Sequence, residues 1–103
     1  MCRIYAGQDS DRFEPVTRSI RLSGYVTSIR LETAFWEILD NIAATQGLST
    51  PQFVSKLHEE VVELRGGVSN FTSMLRTTCL LHLRGAEPEA DERAEIATPV
   101  AAE

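Results

Sequence analysis

Between residues 16 and 31 the chain carries Arg18, Arg21 and Arg30 and no acidic residue. Guanidinium groups pair with phosphate and with the acceptor edge of guanine, so this stretch is where a polyanion would be sought first. A second set is Cys79-x-x-His82. On a helix that spacing presents two metal-ligating groups on one face, and His58 and Cys2 could add to it. A buried cysteine and histidine without metal are far commoner, so no metal is expected. Ser73, His82 and the carboxylates show no nucleophile-elbow or triad spacing. There is no GxGxxG, P-loop or HExxH pattern. Neither a catalytic residue nor a cofactor is expected, and the chain reads as a non-enzyme.

The charge balance sharpens that reading. The 103 residues carry a formal net charge of −5, which argues against a polyanionic partner. Its distribution changes the argument. Residues 86–103 hold six acids against Arg93 alone, while residues 1–85 hold nine acids and nine bases and are neutral. Two copies of the 16–31 stretch would place six arginines on one face, from three per chain. The length suits one domain with a modest core. No apolar run approaches the ~20 residues a membrane helix needs, and the opening MCRIYAGQDSDRFEP lacks the apolar core of a signal peptide. A cytoplasmic protein is expected, with its two cysteines reduced.

The elements that must position these arginines follow from periodicity. Residues 1–15 lack any period and read as an irregular arm. Alternation over about 26–31 puts Ile29 and Leu31 on one face and Ser28 and Arg30 on the other, a short strand. Thr17-Arg18-Ser19-Ile20-Arg21-Leu22 echoes it weakly, across a turn signal at Ser23-Gly24-Tyr25. This first segment either flanks the second or folds back on it. No hairpin partner that would finish a sheet is evident, and a lone strand cannot satisfy its backbone. A second copy of the chain is the expected partner, giving a two-stranded ribbon of a width that fits the major groove of DNA.

Three helices follow. Phe35, Ile38, Leu39, Ile42 and Ala43 give a core-facing stripe over about 33–46, ended by Gly47. Ser49-Thr50-Pro51-Gln52 is a capping box that opens a helix over about 50–64. A third helix over about 70–83 is apolar around much of its circumference and calls for burial on more than one side. Residues 85–103 read as a disordered acidic tail, leaving 16–84 as the domain.

With those residues in place the chain resembles the ribbon-helix-helix proteins, the fold of the Arc, MetJ and CopG repressors. It is most similar to a family of short bacterial members. The resemblance rests on Arg18-Ser19-Ile20 through Gly24, Thr27-Ser28, Leu31-Glu32, Phe35-Trp36, Ala43, Gly47-Leu48-Ser49 and Asn70-x-x-Ser73-x-Leu75-Arg76, spanning roughly 18–83. It implies a mainly α, homodimeric ribbon-helix-helix fold with one extra C-terminal helix. It implies base contacts from Val26, Ser28 and Arg30. It implies phosphate contacts from Arg18, Arg21, Ser49 and Thr50. It implies a dimer core of Ile29, Leu31, Phe35, Trp36, Leu39, Phe53 and Leu57.

The function so implied is a transcriptional regulator that binds double-stranded DNA as a homodimer. Two alternatives stay open. One is an antitoxin whose C-terminal region holds a protein partner. The other is an interaction scaffold that has lost DNA affinity and assembles into a higher oligomer through the last helix.

Overall fold

A tight turn organises the N-terminal half of the computed structural model, which describes residues 2–67 and 69–85. Ser23 and Gly24 both have positive φ, +52° and +88°. That pair of values belongs to the type I′ turn, whose twist matches the strands it joins. It connects β1, Pro15–Leu22, to β2, Tyr25–Glu32, in an antiparallel hairpin. The register runs unbroken from Leu22↔Tyr25 at the turn to Pro15↔Glu32 at the open end. The strand expected over 26–31 therefore has its partner within the same chain. Of the two placements open to the 17–22 segment, it folds back on the second strand.

A short helix α1, Cys2–Ala6, and a 3-10 turn at Ser10–Arg12 precede the hairpin, where an irregular arm was expected. The arm is tied down at two places. Arg12 pairs with Glu37 at 3.2 Å, and Thr33 donates to the Glu14 carbonyl through both N–H and Oγ1, at 2.9 and 3.0 Å.

Three longer helices then follow: α2, Thr33–Thr45; α3, Thr50–Arg65; and α4, Phe71–Leu83. The α2–α3 link turns at Gly47, whose φ of +71° favours glycine. Helix α3 opens with the full capping box: Gln52 N–H donates to Ser49 Oγ and Ser49 N–H to Gln52 Oε1. The Asn70 side chain caps α4 by accepting from Ser73 N–H at 3.0 Å.

The core lies under one face of the hairpin. Ile20, Ile29 and Leu31 point into it from the strands. Trp36, Leu39, Ile42 and Ala43 come from α2, Phe53 and Val54 from α3, and Leu75 and Cys79 from α4. Ile29, Leu31, Trp36, Leu39 and Phe53, expected in a core shared by two chains, are buried within one; Phe35 and Leu57 are half-buried against the same cluster.

The apolar circumference of α4 calls for burial on α2 and α3 or on a second chain. The helix buries one stripe, at Leu75 and Cys79, and leaves Leu80, Leu81 and Leu83 exposed. Arg76 fixes that stripe to the end of β2 through two bonds to Glu32, at 3.1 and 3.3 Å. The acidic tail lies outside the described residues. No helix among them is long and apolar enough to cross a membrane.

Candidate nucleic-acid interface

Strand pleat sorts the hairpin side chains into two sets. On the face turned away from the helices stand Thr17, Ser19 and Arg21 from β1 and Val26, Ser28 and Arg30 from β2, all exposed. The register sets them side by side as Thr17↔Arg30, Ser19↔Ser28 and Arg21↔Val26. This surface holds two arginines, two serines and a threonine, with no acid. Val26, Ser28 and Arg30 thus lie together, as the alternation in β2 required. Thr17 and Ser19 were not singled out in the sequence. Their signal was the alternation of 17–22, which carries weight only once that segment is paired.

Arg18 is not on this surface, contrary to its expected place beside Arg21. Even-numbered residues of β1 point the other way, and Arg18 lies over the Trp36 ring at 4.4 Å from the centroid. Its guanidinium donates twice to Asp40, at 3.0 and 3.3 Å. The Thr50 hydroxyl donates to the same carboxylate. These bonds, led by Arg18, hold the Asp40 carboxyl below its ordinary range against the opposing pull of partial burial. Asp40 thereby joins β1, α2 and the first residue of α3. In the same way Arg76 leads the causes that hold the Glu32 carboxyl low.

The start of α3 is equally committed. A free helix N-terminus attracts anions because its first N–H groups lack partners. Here Ser49 and Gln52 satisfy each other, Phe53 N–H bonds to the Ser49 carbonyl, and Pro51 has no N–H. Ser49 and Thr50 are the residues at which this helix start is expected to meet phosphate through its free N–H groups; the Ser49 N–H bonds to Gln52 Oε1, and the Thr50 hydroxyl donates to Asp40.

Arg21 and Arg30 are different. Among the described residues neither has an acid within ion-pair distance; Arg21 makes one bond, to the Gly24 carbonyl at 3.3 Å. Arg21 also lines an open groove between the hairpin and α3, with Lys56 on its helical wall.

The Cys79–His82 pair forms no site. Cys79 is fully buried with Sγ directed at the Phe35 carbonyl, 3.6 Å away, and burial pushes its thiol up to about 11. His82 is exposed, and His58 packs edge-on against Phe71 at 5.0 Å between centroids. No cluster of three His, Cys, Asp or Glu with metal-holding geometry occurs among the described residues.

A family model described as a ribbon-helix-helix domain matches residues 15–83, from the first residue of β1 to the last of α4. The fold is similar to that of an uncharacterized protein from Bordetella pertussis Tohama I, with a TM-score of 0.78 and 40% sequence identity. That match covers 93% of this chain and 79% of the other. No curated protein matches the sequence.

Proposed function

The chain belongs to the ribbon-helix-helix domain family, and from that premise we propose that it is a sequence-specific regulator of transcription. It acts as a homodimer, with each hairpin presenting its outer face to the major groove. The observation that carries this reading is that face itself: six exposed side chains in three cross-strand pairs, free of acid, on a ribbon backed by a core. A two-stranded antiparallel ribbon has the width the major groove admits. Arg30 and Ser28 are its readers of base edges, with Val26 placed to touch a thymine methyl. Both outer edges of the hairpin lack a strand partner among the described residues, which leaves an edge open to a second copy.

The test is a competition assay with a selected duplex and a scrambled one. Arg30→Ala is expected to cost about 1–3 kcal/mol on the selected site and to flatten preference at one base position. An unchanged selected-to-scrambled ratio would show that the outer face does not read bases.

A second reading has one observation in its favour. Leu64, Leu80 and Leu83 are 83%, 55% and 64% exposed at the C-terminal ends of α3 and α4. Exposed leucines suit a protein partner, as in an antitoxin or a scaffold. Salt decides between the two: phosphate contacts impose a steep decline of affinity with salt, and apolar docking does not.

A further inference from the structure

Resting on the DNA-binding reading, we propose that Asp40 is a positioning residue: it fixes the base-reading face of the hairpin against the start of α3, where a phosphate is expected. Asp40 itself touches no DNA. It acts through Arg18 on one side and Thr50 on the other.

The arrangement begins on α2. Trp36 and Asp40 stand four residues apart and so share one face of that helix. Together they hold the Arg18 guanidinium. The Trp36 ring lies against it, with Cζ 4.4 Å from the ring centroid, and the Asp40 carboxylate accepts two of its N–H bonds, at 3.0 and 3.3 Å. Trp36 is itself tied to β1, since its Nε1 donates to the Val16 carbonyl at 2.8 Å. Arg18 sits between Thr17 and Ser19, whose side chains stand on the outer face. Holding Arg18 therefore holds the β1 half of that face.

The same carboxylate reaches α3. Its Oδ1 accepts from the hydroxyl of Thr50, the first residue of that helix. Among the described residues the other side-chain bond between the hairpin and α3 runs from Ser23 Oγ to His58 Nδ1, at 3.5 Å and about two turns further along the helix. The tie at the helix start is charge-assisted, so it governs where α3 begins relative to the strands. Arg18 leads the causes that hold the Asp40 carboxyl low, which keeps it ionised at neutral pH.

The sign of that charge bears on the role. An acid beside a phosphate site opposes binding by like-charge repulsion. What Asp40 contributes is the placement of two elements that must meet one duplex together. A selected duplex offers base edges and phosphates at a fixed spacing, and both sets of contacts form only when the hairpin and the helix start keep theirs. A scrambled duplex imposes no base register. There the loss of Asp40 leaves only the relief of its charge.

The experiment measures the affinity of the full chain for a selected and a scrambled duplex, at a temperature that thermal melts place well below the unfolding of every variant. Asp40→Ala should weaken the selected duplex about tenfold and leave the scrambled one bound as tightly or more so. Thr50→Val removes the hydroxyl and keeps the backbone N–H. It should lower the selected-to-scrambled ratio by a similar factor, and Thr50→Ser should keep the parent ratio. The double variant should be no worse than either single one, because both break one tie. Arg76→Gln is the control for a merely structural effect. It breaks the pair with Glu32, which is of similar exposure but joins β2 to α4, and it should leave the ratio unchanged.

The proposal is overturned if folded Asp40→Ala keeps the parent ratio or weakens both duplexes equally, or if Arg76→Gln lowers the ratio as much. It is also overturned if the losses from Asp40→Ala and Thr50→Val multiply, since the Thr50 hydroxyl would then act on the DNA by itself. A parent protein that binds neither duplex, or both alike, would instead refute the reading as a sequence-specific regulator. That failure is seen in the parent alone, before any variant is compared.

Discussion

Gly24→Ala tests whether the ribbon is made within one chain. Gly24 has φ +88°, and a Cβ built on it meets no atom within 4 Å. The cost of alanine there is therefore conformational and not steric. An L-residue in the left-handed region loses about 1–2 kcal/mol. Alanine also stiffens the unfolded chain, which returns about 0.4–1 kcal/mol. The net destabilisation is about 1 kcal/mol, which lowers Tm by about 4–8 °C in a domain of this size. Ser23 offers the converse. It is a non-glycine residue at φ +52°, in a turn type that favours asparagine before glycine. Ser23→Asn should raise Tm by a few degrees, from about 0.5 kcal/mol, since asparagine tolerates this region better. Circular dichroism melts of the two variants and the parent make the comparison. If Gly24→Ala is neutral or stabilising, residues 23–24 do not form the tight turn. The strands would then pair between chains, and the single-chain core would be wrong.

Two further outcomes follow from the packing and the ion pairs. Leu31 is wholly buried in the single-chain core, so Leu31→Ala should destabilise by about 2–5 kcal/mol in urea unfolding; a loss under 1 kcal/mol would remove it from the core. The Asp40 carboxyl is held below its unfolded value, so its contribution is complete above about pH 4 and is lost as pH falls through the folded pKa. Asp40→Asn should lower stability at pH 7 by about 1 kcal/mol or less, because the pair is half-exposed and screened. The gap to the parent should close as pH drops below 4, and a gap that stays constant on acidification would show that the ionised carboxylate is not what stabilises.

The helices were legible because their signals are local. Ser49 and Gln52 lie three residues apart and cap the same helix start, and Gly47 and Gly66 mark ends that need positive φ. The hairpin was only half legible. Ser-Gly is a weaker turn signal than Asn-Gly, and the strained φ of Ser23 is invisible in sequence. Arg18 was misplaced for a different reason. An arginine on a strand is ordinarily assigned to solvent, but this one stacks on Trp36 and finds its carboxylate 22 residues away. No local pattern encodes a partner at that separation. The commitment of Thr50 was hidden too, since it depends on where Asp40 stands in α2 once the chain is folded.

The inward place of Arg18 also bears on the proposed reading of DNA by the outer face. The remaining arginines are one per strand and lie at opposite ends: Arg21 pairs with Val26 near the turn, and Arg30 pairs with Thr17 toward the open end. Between them stands the Ser19↔Ser28 pair. Arg30 and Val26 are four residues apart on β2, which at 3.3 Å per residue is about 13 Å. At 3.4 Å per base step that length covers about four base pairs. A single ribbon of this kind has its strong guanidinium donor at one end of a four-base-pair window, small hydroxyls at the centre, and a second guanidinium shared with the groove beside α3. Serine hydroxyls serve as donor or acceptor and discriminate bases weakly, whereas arginine favours guanine. Sequence preference should therefore be strongest at the Arg30 end of each half-site and weakest under the serine pair. A half-site whose central positions are the most strictly specified would contradict this arrangement.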